Sequence, residues 1–281
     1  METVKLNNGV EMPVIGIGTF MLTPDEAENS VYHALKNGYS LIDTANAYVN
    51  EKAVGRAIKK SGVDRNKIFL ETKLWPAFYE EDDQIDKTLE RLNTDYIDLL
   101  LLHQPSGNYM YAYKLMEKAV EEGKVKAIGL SNFNEKQIKE IIEGCHIKPT
   151  VLQTEAHPYY PQTKMQKFLN ENDMKIQAWY PLGHGDSTLI NEPIFTKLAK
   201  KYNKSNVQII LRWHIQLNHI VIPGARKEEH IKSNIDIFDF ELTKEEMKEI
   251  ENIDKNKRYY EGIPELVAIY AKMKPDLDGQ K

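Results

Sequence analysis

The sequence predicts a (β/α)8 barrel, an α/β fold of eight parallel strands wrapped by helices. Three observations carry that expectation. Eight short apolar runs alternate with amphipathic stretches along 281 residues. Several runs are apolar at consecutive positions, as in Leu99-Leu100-Leu101-Leu102, so both faces of those strands are buried, as in a parallel sheet covered by helices. The length suits a barrel of this type folded as one domain, here taken as residues 1–281. An open doubly wound sheet is the competing arrangement. It is weakened by the lack of a G-x-G-x-x-G turn: Gly16-Ile17-Gly18 has no third glycine and leads into Thr19-Phe20.

The chain begins with a hairpin over about 4–12, centred on Asn7-Asn8-Gly9. The eight strands follow at Val14–Gly18, Ser40–Ile42, Lys67–Thr72, Ile97–Leu102, Lys126–Leu130, Thr150–Thr154, Lys175–Trp179 and Ile220–Ile222. Thr23-Pro24-Asp25-Glu26 is a capping box with proline at the first helical position, and Ala27, Val31, Ala34 and Leu35 then share a face until Gly38. Further helices are expected near Val49–Lys60, Ile85–Leu92, Tyr111–Val120, Ile138–Ile142, Met165–Leu169 and Val207–Ile215. Two helices are additional to the repeating units, at about 191–202 and 243–253, before a short tail.

Net charge is −5 with no basic arm, which argues against nucleic acid or a membrane surface as partner. Cys145 is the sole cysteine, so no intrachain disulfide forms, and a packing role is expected for it. No apolar leader or membrane-length run is present. The reading is a soluble cytoplasmic protein, a monomer or weak homo-oligomer.

Barrel active sites lie at the C-terminal ends of the strands. Four polar residues follow the apolar runs there: Asp43, then Tyr48 in the same loop, Lys73, and His103. Their chemistry is complementary. A tyrosine is a poor acid near neutrality, and an adjacent ammonium lowers its pKa. An aspartate can hold that lysine in place, and a histidine can donate to an oxygen that gains negative charge. Together they can protonate an alkoxide as hydride arrives from a cofactor. Pocket walls would come from βα loops: Phe20, Trp75, Tyr79 and His184, with tail residues such as Tyr259 and Tyr260. The modest loop after the seventh strand and the short tail suggest an open pocket of broad specificity.

The ordered segments Ile42-Asp43-Thr44-Ala45 with Tyr48 and Asn50-Glu51, Thr72-Lys73-Leu74-Trp75, Leu102-His103-Gln104-Pro105, Gly129-Leu130-Ser131-Asn132-Phe133 and Glu155-Ala156-His157-Pro158 closely resemble the aldo-keto reductases. The resemblance extends from the hairpin to Phe240. It implies a TIM-barrel oxidoreductase that uses NADP(H), with NAD(H) as the alternative, to reduce a small-molecule carbonyl, with Asp43, Tyr48, Lys73 and His103 as its catalytic set. It implies that Ser131, Asn132 and Gln153 hold the nicotinamide carboxamide, that Trp179 stacks on the ring, that Leu182 and Gly183 flank the pyrophosphate and that Asn234 contacts the adenine.

The chain departs from the family pattern at several places. Gly224-Ala225-Arg226-Lys227 replaces the usual Lys-Ser after Ile222-Pro223, and His230 stands where arginine is common, which leaves Arg226 and Lys227 to clamp a 2′-phosphate. Leu152 replaces an asparagine. Tyr180 replaces a serine and would crowd the pyrophosphate loop. Two other functions compete: a non-catalytic nicotinamide-binding protein, and a barrel hydrolase with a metal on Asp43, His103, Glu155 and His157. The latter leaves Lys73 and Tyr48 without a role, and no metal ligand is assigned.

Overall fold

The computed structural model describes residues 2–281. The hairpin pairs β1 (Thr3–Lys5) antiparallel with β2 (Glu11–Pro13). The alternating units are β3 (Gly16–Gly18), α1 (Pro24–Lys36), β4 (Leu41–Asp43), α2 (Glu51–Ser61), β5 (Phe69–Leu74), α3 (Gln84–Leu92), β6 (Ile97–Leu102), α4 (Tyr109–Glu121), β7 (Val125–Ser131), α5 (Glu135–Gly144), β8 (Val151–Glu155), α6 (Thr163–Glu171) and β9 (Lys175–Trp179). Then come α7 (Ser187–Ile190), α8 (Pro193–Tyr202), α9 (Asn206–Gln216), β10 (Ile220–Val221), α10 (Glu228–Ile235), α11 (Lys244–Glu251) and α12 (Pro264–Tyr270).

Strands β3 to β10 pair in sequence order, all parallel. The ring closes where Ile15 bridges Val221 and Gly18 bridges Gly224. Gly18 is required at that seam, because a Cβ there would stand 2.9 Å from the Ile222 carbonyl oxygen. All eight apolar runs became barrel strands.

Side-chain alternation divides the sheet into two apolar sets. Ile17, Ile42, Leu70, Leu100, Ile128 and Ile176 face the helices. Leu41, Phe69, Leu99, Leu101, Ala127 and Val151 fill the barrel, and Leu6 and Met12 from the hairpin join them at its lower end. The amides of Asn7 and Asn8 fasten the hairpin there by donating to the carbonyls of Pro149 (2.9 Å) and Lys126 (3.0 Å). Trp213, Phe195 and Leu198 form a further cluster under the additional helices.

Local signals fixed the helix starts. The Thr23 capping box forms with both hydrogen bonds, and boxes at Asn134, Ser205 and Thr243 open α5, α9 and α11. Cys145 is half-buried, with its thiol on the Ile142 carbonyl. The short tail is where expectation and structure part. It forms α12 and runs on across the barrel mouth to a buried Leu277 and Gln280. No helix among the described residues is long and apolar enough to cross a membrane.

Candidate active site

Register brings the polar strand ends together. Asp43 is the Cα partner of Glu71 across β4 and β5, and Lys73 lies two residues further along β5, so Glu71 and Lys73 share the inward face. Lys73 is fully buried, and its ammonium reaches Asp43 Oδ1 at 2.5 Å, the Thr44 carbonyl at 2.9 Å and the Tyr48 hydroxyl at 3.4 Å. His103 follows β6 directly, with its ring 5.6 Å from that of Tyr48 in an edge-on arrangement. The four residues therefore meet at one rim of the barrel.

Neighbouring motif residues hold the loops that carry them. Tyr48 sits in a single helical turn, Asn46–Tyr48. Asn46 accepts the Trp75 N–H at 3.1 Å, tying that turn to the end of β5. The buried Asn50 amide donates to the carbonyls of Thr19 and Leu22 and accepts from Thr44 Oγ1, joining the first two βα loops. Glu51 pairs with Arg91 at 2.6 Å and accepts from Thr72 at 2.8 Å, which locks α2 behind β5.

The site's electrostatics refine one expectation. Burial pushes the Tyr48 phenol up to about 12, against the downward pull of Lys73, with Asp43 and Glu71 adding to the rise. The ammonium lowers the phenol's pKa as expected, but burial outweighs it, so Tyr48 is held as the neutral, proton-bearing phenol. Lys73 is itself raised: burial disfavours its charge, but Asp43, Tyr48 and Glu71 more than offset that. Burial, and then Lys73, hold His103 neutral. Its Nδ1 is buried without a partner among the described residues.

A cleft of about 980 Å³ opens above the four. It is lined by Asp43, Tyr48, Trp75 and His103, by Ser131, Asn132 and Gln153, and by Trp179, Leu182 and His184. Phe20 and Arg226 border it at the outer end. The Trp179 indole donates to Asn132 Oδ1 at 3.0 Å, and the Asn132 amide donates to Ser131 Oγ and the His103 carbonyl. Tyr180 does enter the cleft. It adopts φ +52° and places its ring 4.4 Å from that of His184 and 6.5 Å from that of Phe20.

Four expected residues stand differently. Tyr79 is buried outside the cleft, with its hydroxyl spent on the Gln104 carbonyl at 2.9 Å, so it packs a loop and does not form a pocket wall. Gly183 is not itself a wall; it lies beneath, where a Cβ would meet the Tyr259 ring at 2.9 Å. Asn234 is buried outside the cleft lining. Arg226 is already engaged, with Glu26 at 2.9 Å and the Met21 carbonyl at 2.9 Å. Glu155 and His157 bind each other at 3.1 Å, and the described residues contain no cluster of three metal-ligating side chains.

The open pocket inferred from a short tail is corrected. Tyr260, Tyr270, Met273, Lys274 and Pro275 all line the cleft. Buried Glu155 accepts the backbone N–H of Tyr259 (2.5 Å) and of Tyr260 (3.3 Å), and the Trp75 indole donates to the Met273 carbonyl at 2.8 Å. The ring of Tyr270 packs 4.9 Å from that of Trp75. Sequence reasoning missed Tyr270 to Pro275 because these contacts run largely through backbone groups.

The barrel carries this polar cluster at its C-terminal rim, and the proteins it is similar to are oxidoreductases. The model of the Aldo/keto reductase family matches residues 14–255, and the chain belongs to that family. It is 42% identical over 262 residues to a glyoxal reductase of Bacillus subtilis, covering 92% of this chain and 94% of that one. Among solved structures, an aldo-keto reductase enzyme from a Medee basin deep-sea metagenome library is 40% identical with TM-score 0.90, covering 94% and 98% of the two chains. A Bombyx mori aldo-keto reductase in complex with NADP is 32% identical with TM-score 0.87, covering 93% and 95%.

Proposed function

We propose that this chain is an NADP(H)-dependent carbonyl reductase in which Tyr48 is the general acid. The observation that carries the reading is the contact of the buried Lys73 ammonium with both Asp43 and the Tyr48 hydroxyl, at the floor of the cleft. The Bombyx mori relative supports the cofactor, and the cleft of this chain suits one. It extends from the Asn132 and Gln153 amides past Trp179 and the Gly185 backbone to Arg226, which gives polar groups for a carboxamide, a flat wall for a ring and a cation for a phosphate.

A bound nicotinamide dinucleotide supplies the hydride. The remaining work falls to the chain. A carbonyl oxygen seated between Tyr48 and His103 receives a hydrogen bond from each, because both are held in their neutral, donating forms. As negative charge develops on that oxygen, Tyr48 delivers its proton. Lys73 stabilises the phenolate left behind, and Asp43 keeps Lys73 charged and aimed. Trp75, Tyr260 and Tyr270 cover the mouth and limit water. Aromatic walls favour aldehydes and ketones with a flat or apolar substituent, and glyoxal, the substrate named for the Bacillus subtilis relative, belongs in the panel. The test is consumption of NADPH and of NADH with an aldehyde and ketone panel. Turnover with NADPH supports the reading. Tight cofactor binding with no turnover across the panel would favour a non-catalytic binding protein.

A further inference from the structure

Glu71 has no part in the mechanism above, although it lies directly beneath it. It is fully buried inside the barrel, beside Asp43 in register and two residues before Lys73. Its Oε1 meets Gln153 Nε2 at 2.7 Å, and its Oε2 meets Gln177 Nε2 at 2.7 Å. No cation bonds it. The three N–H groups of Lys73 are spent on Asp43, Thr44 and Tyr48.

Counting donors in this layer exposes a shortfall. Gln153 Nε2 carries two hydrogens but faces three acceptors: Asp43 Oδ1 at 2.9 Å, Glu71 Oε1 at 2.7 Å and Gln177 Oε1 at 3.0 Å. A proton on Glu71 supplies the missing donor. Glu71 and Asp43 are register partners on adjacent strands and both carboxyls converge on Gln153 Nε2, so a proton on Glu71 can be shared with Asp43. Asp43 is then served by Glu71, and the two hydrogens of Gln153 serve Glu71 Oε1 and Gln177 Oε1, at 2.7 and 3.0 Å. Charge leads to the same assignment. Two buried carboxylates facing one buried ammonium leave an anion unpaired, and taking up a proton relieves it.

We propose that Glu71 is a neutral carboxylic acid sharing its proton with Asp43, and that it is a positioning residue for the Asp43–Lys73–Tyr48 set. This rests on the reading of that set as the catalytic centre. The groups around Glu71 fit the assignment. Asp43 faces it from β4, Lys73 from its own strand and Tyr48 from the turn after β4, while β8 and β9 contribute only the neutral amides of Gln153 and Gln177. Burial, and then the Asp43 charge, raise the Glu71 carboxyl well above the usual carboxylate range. The consequence is functional. An ionised Glu71 would work against the pull of Lys73 on Tyr48 and make the phenol a weaker acid, whereas the protonated form leaves that pull intact.

Infrared spectroscopy of the full chain reads the proton directly. The wild type should show a protonated-carboxyl stretch near neutral pH that shifts in D2O and is absent from Glu71→Gln. Glutamine is also neutral, so that variant should keep kcat within about threefold and leave the basic limb of its pH profile in place. Carbon-13 glutamate labelling of the wild type and of Asp43→Asn gives the assignment without altering position 71, because only an acid bonded to Asp43 changes frequency when Asp43 changes. That matters because Glu51 is also buried and raised. Absence of the band overturns the proposal. So does a basic limb that moves down by about one unit or more in Glu71→Gln, since that marks the loss of an anion. Full turnover in Tyr48→Phe would remove the catalytic reading while leaving the band in place, so the two failures are separable.

Discussion

Removing the Lys73 charge tests the electrostatic core of the mechanism. The single change Lys73→Met would strand Asp43 as a buried, unpaired acid, so the informative variant is Lys73→Met with Asp43→Asn. The Lys73 ammonium stands 3.4 Å from the Tyr48 oxygen. At that distance, with the effective dielectric of about 20 that suits protein sites, a unit charge stabilises a phenolate by about 5 kcal/mol, or about 3.6 pKa units. Asp43 opposes part of this field, and its removal returns some of the loss. If between half and all of the interaction is realised in the transition state, kcat falls by about 60-fold to about 4,000-fold. Cofactor affinity should change much less, because the groups proposed to hold it come from β8, β9 and the residue after β7, and Asp43→Asn keeps a side-chain oxygen for the Gln153 amide. The assay is single-turnover reduction under saturating cofactor, with a deuterated hydride donor to confirm that chemistry is being measured. A kcat within about tenfold of wild type would refute the reasoning, because Lys73 would then not be stabilising charge on Tyr48.

Three further outcomes follow from other contacts. Arg226→Ala should weaken NADPH at least about tenfold more than NADH, while Glu26→Gln, which frees Arg226, should tighten NADPH; Trp179 fluorescence quenching measures both, and equal losses for the two cofactors in Arg226→Ala would show that Arg226 does not read the 2′-phosphate. Glu155→Gln should loosen the tail, speeding hydrogen exchange at the Tyr259 and Tyr260 amides by about 10- to 100-fold and raising the carbonyl KM more than it lowers kcat; unchanged exchange would mean that Glu155 does not hold the tail. Burial lowers His219 to about 3, so its neutral form contributes stability that is fully present above about pH 6.5 and is lost as pH falls from there. From about pH 8 to about pH 5 that loss is about 2 kcal/mol, and urea unfolding of His219→Gln should show a pH dependence shallower by that amount. The raised Glu51 and Glu71 act with the opposite sign in wild type, so the comparison between proteins, and not the wild-type curve alone, isolates His219.

The barrel was legible because buried parallel strands announce themselves. A run such as Leu99–Leu102 has no solvated face, and capping boxes at Thr23 and Thr243 mark helix starts by local chemistry that survives any tertiary context. The elements that escaped lack those signals. Four-residue α7 lies within a loop, and α12 is a seven-residue helix whose apolar residues run consecutively from Leu266 to Ile269 with none fully buried, so neither shows a readable helical period. The rim positions of Asp43, Tyr48, Lys73 and His103 could be reached from strand ends alone. Tyr79 could not be separated from a pocket wall, because its hydroxyl's partner is the Gln104 carbonyl, a contact across two loops with no sequence pattern. Glu71 was readable and passed over: it shares parity with Lys73 on a strand of period two, which places a carboxyl inside the barrel. The tail over the mouth depended on Glu155 binding two backbone amides, which no side-chain spacing reports.

The most direct test of the central claim is single-turnover hydride transfer in Tyr48→Phe, alongside its NADPH dissociation constant. The account predicts a folded variant that binds NADPH as wild type does and reduces aldehydes slower by about 10²–10⁴-fold, the contribution of a positioned acid. A variant that reduces them at the wild-type rate would show that the proton reaches the substrate oxygen from another group, and the assignment of Tyr48 would fall.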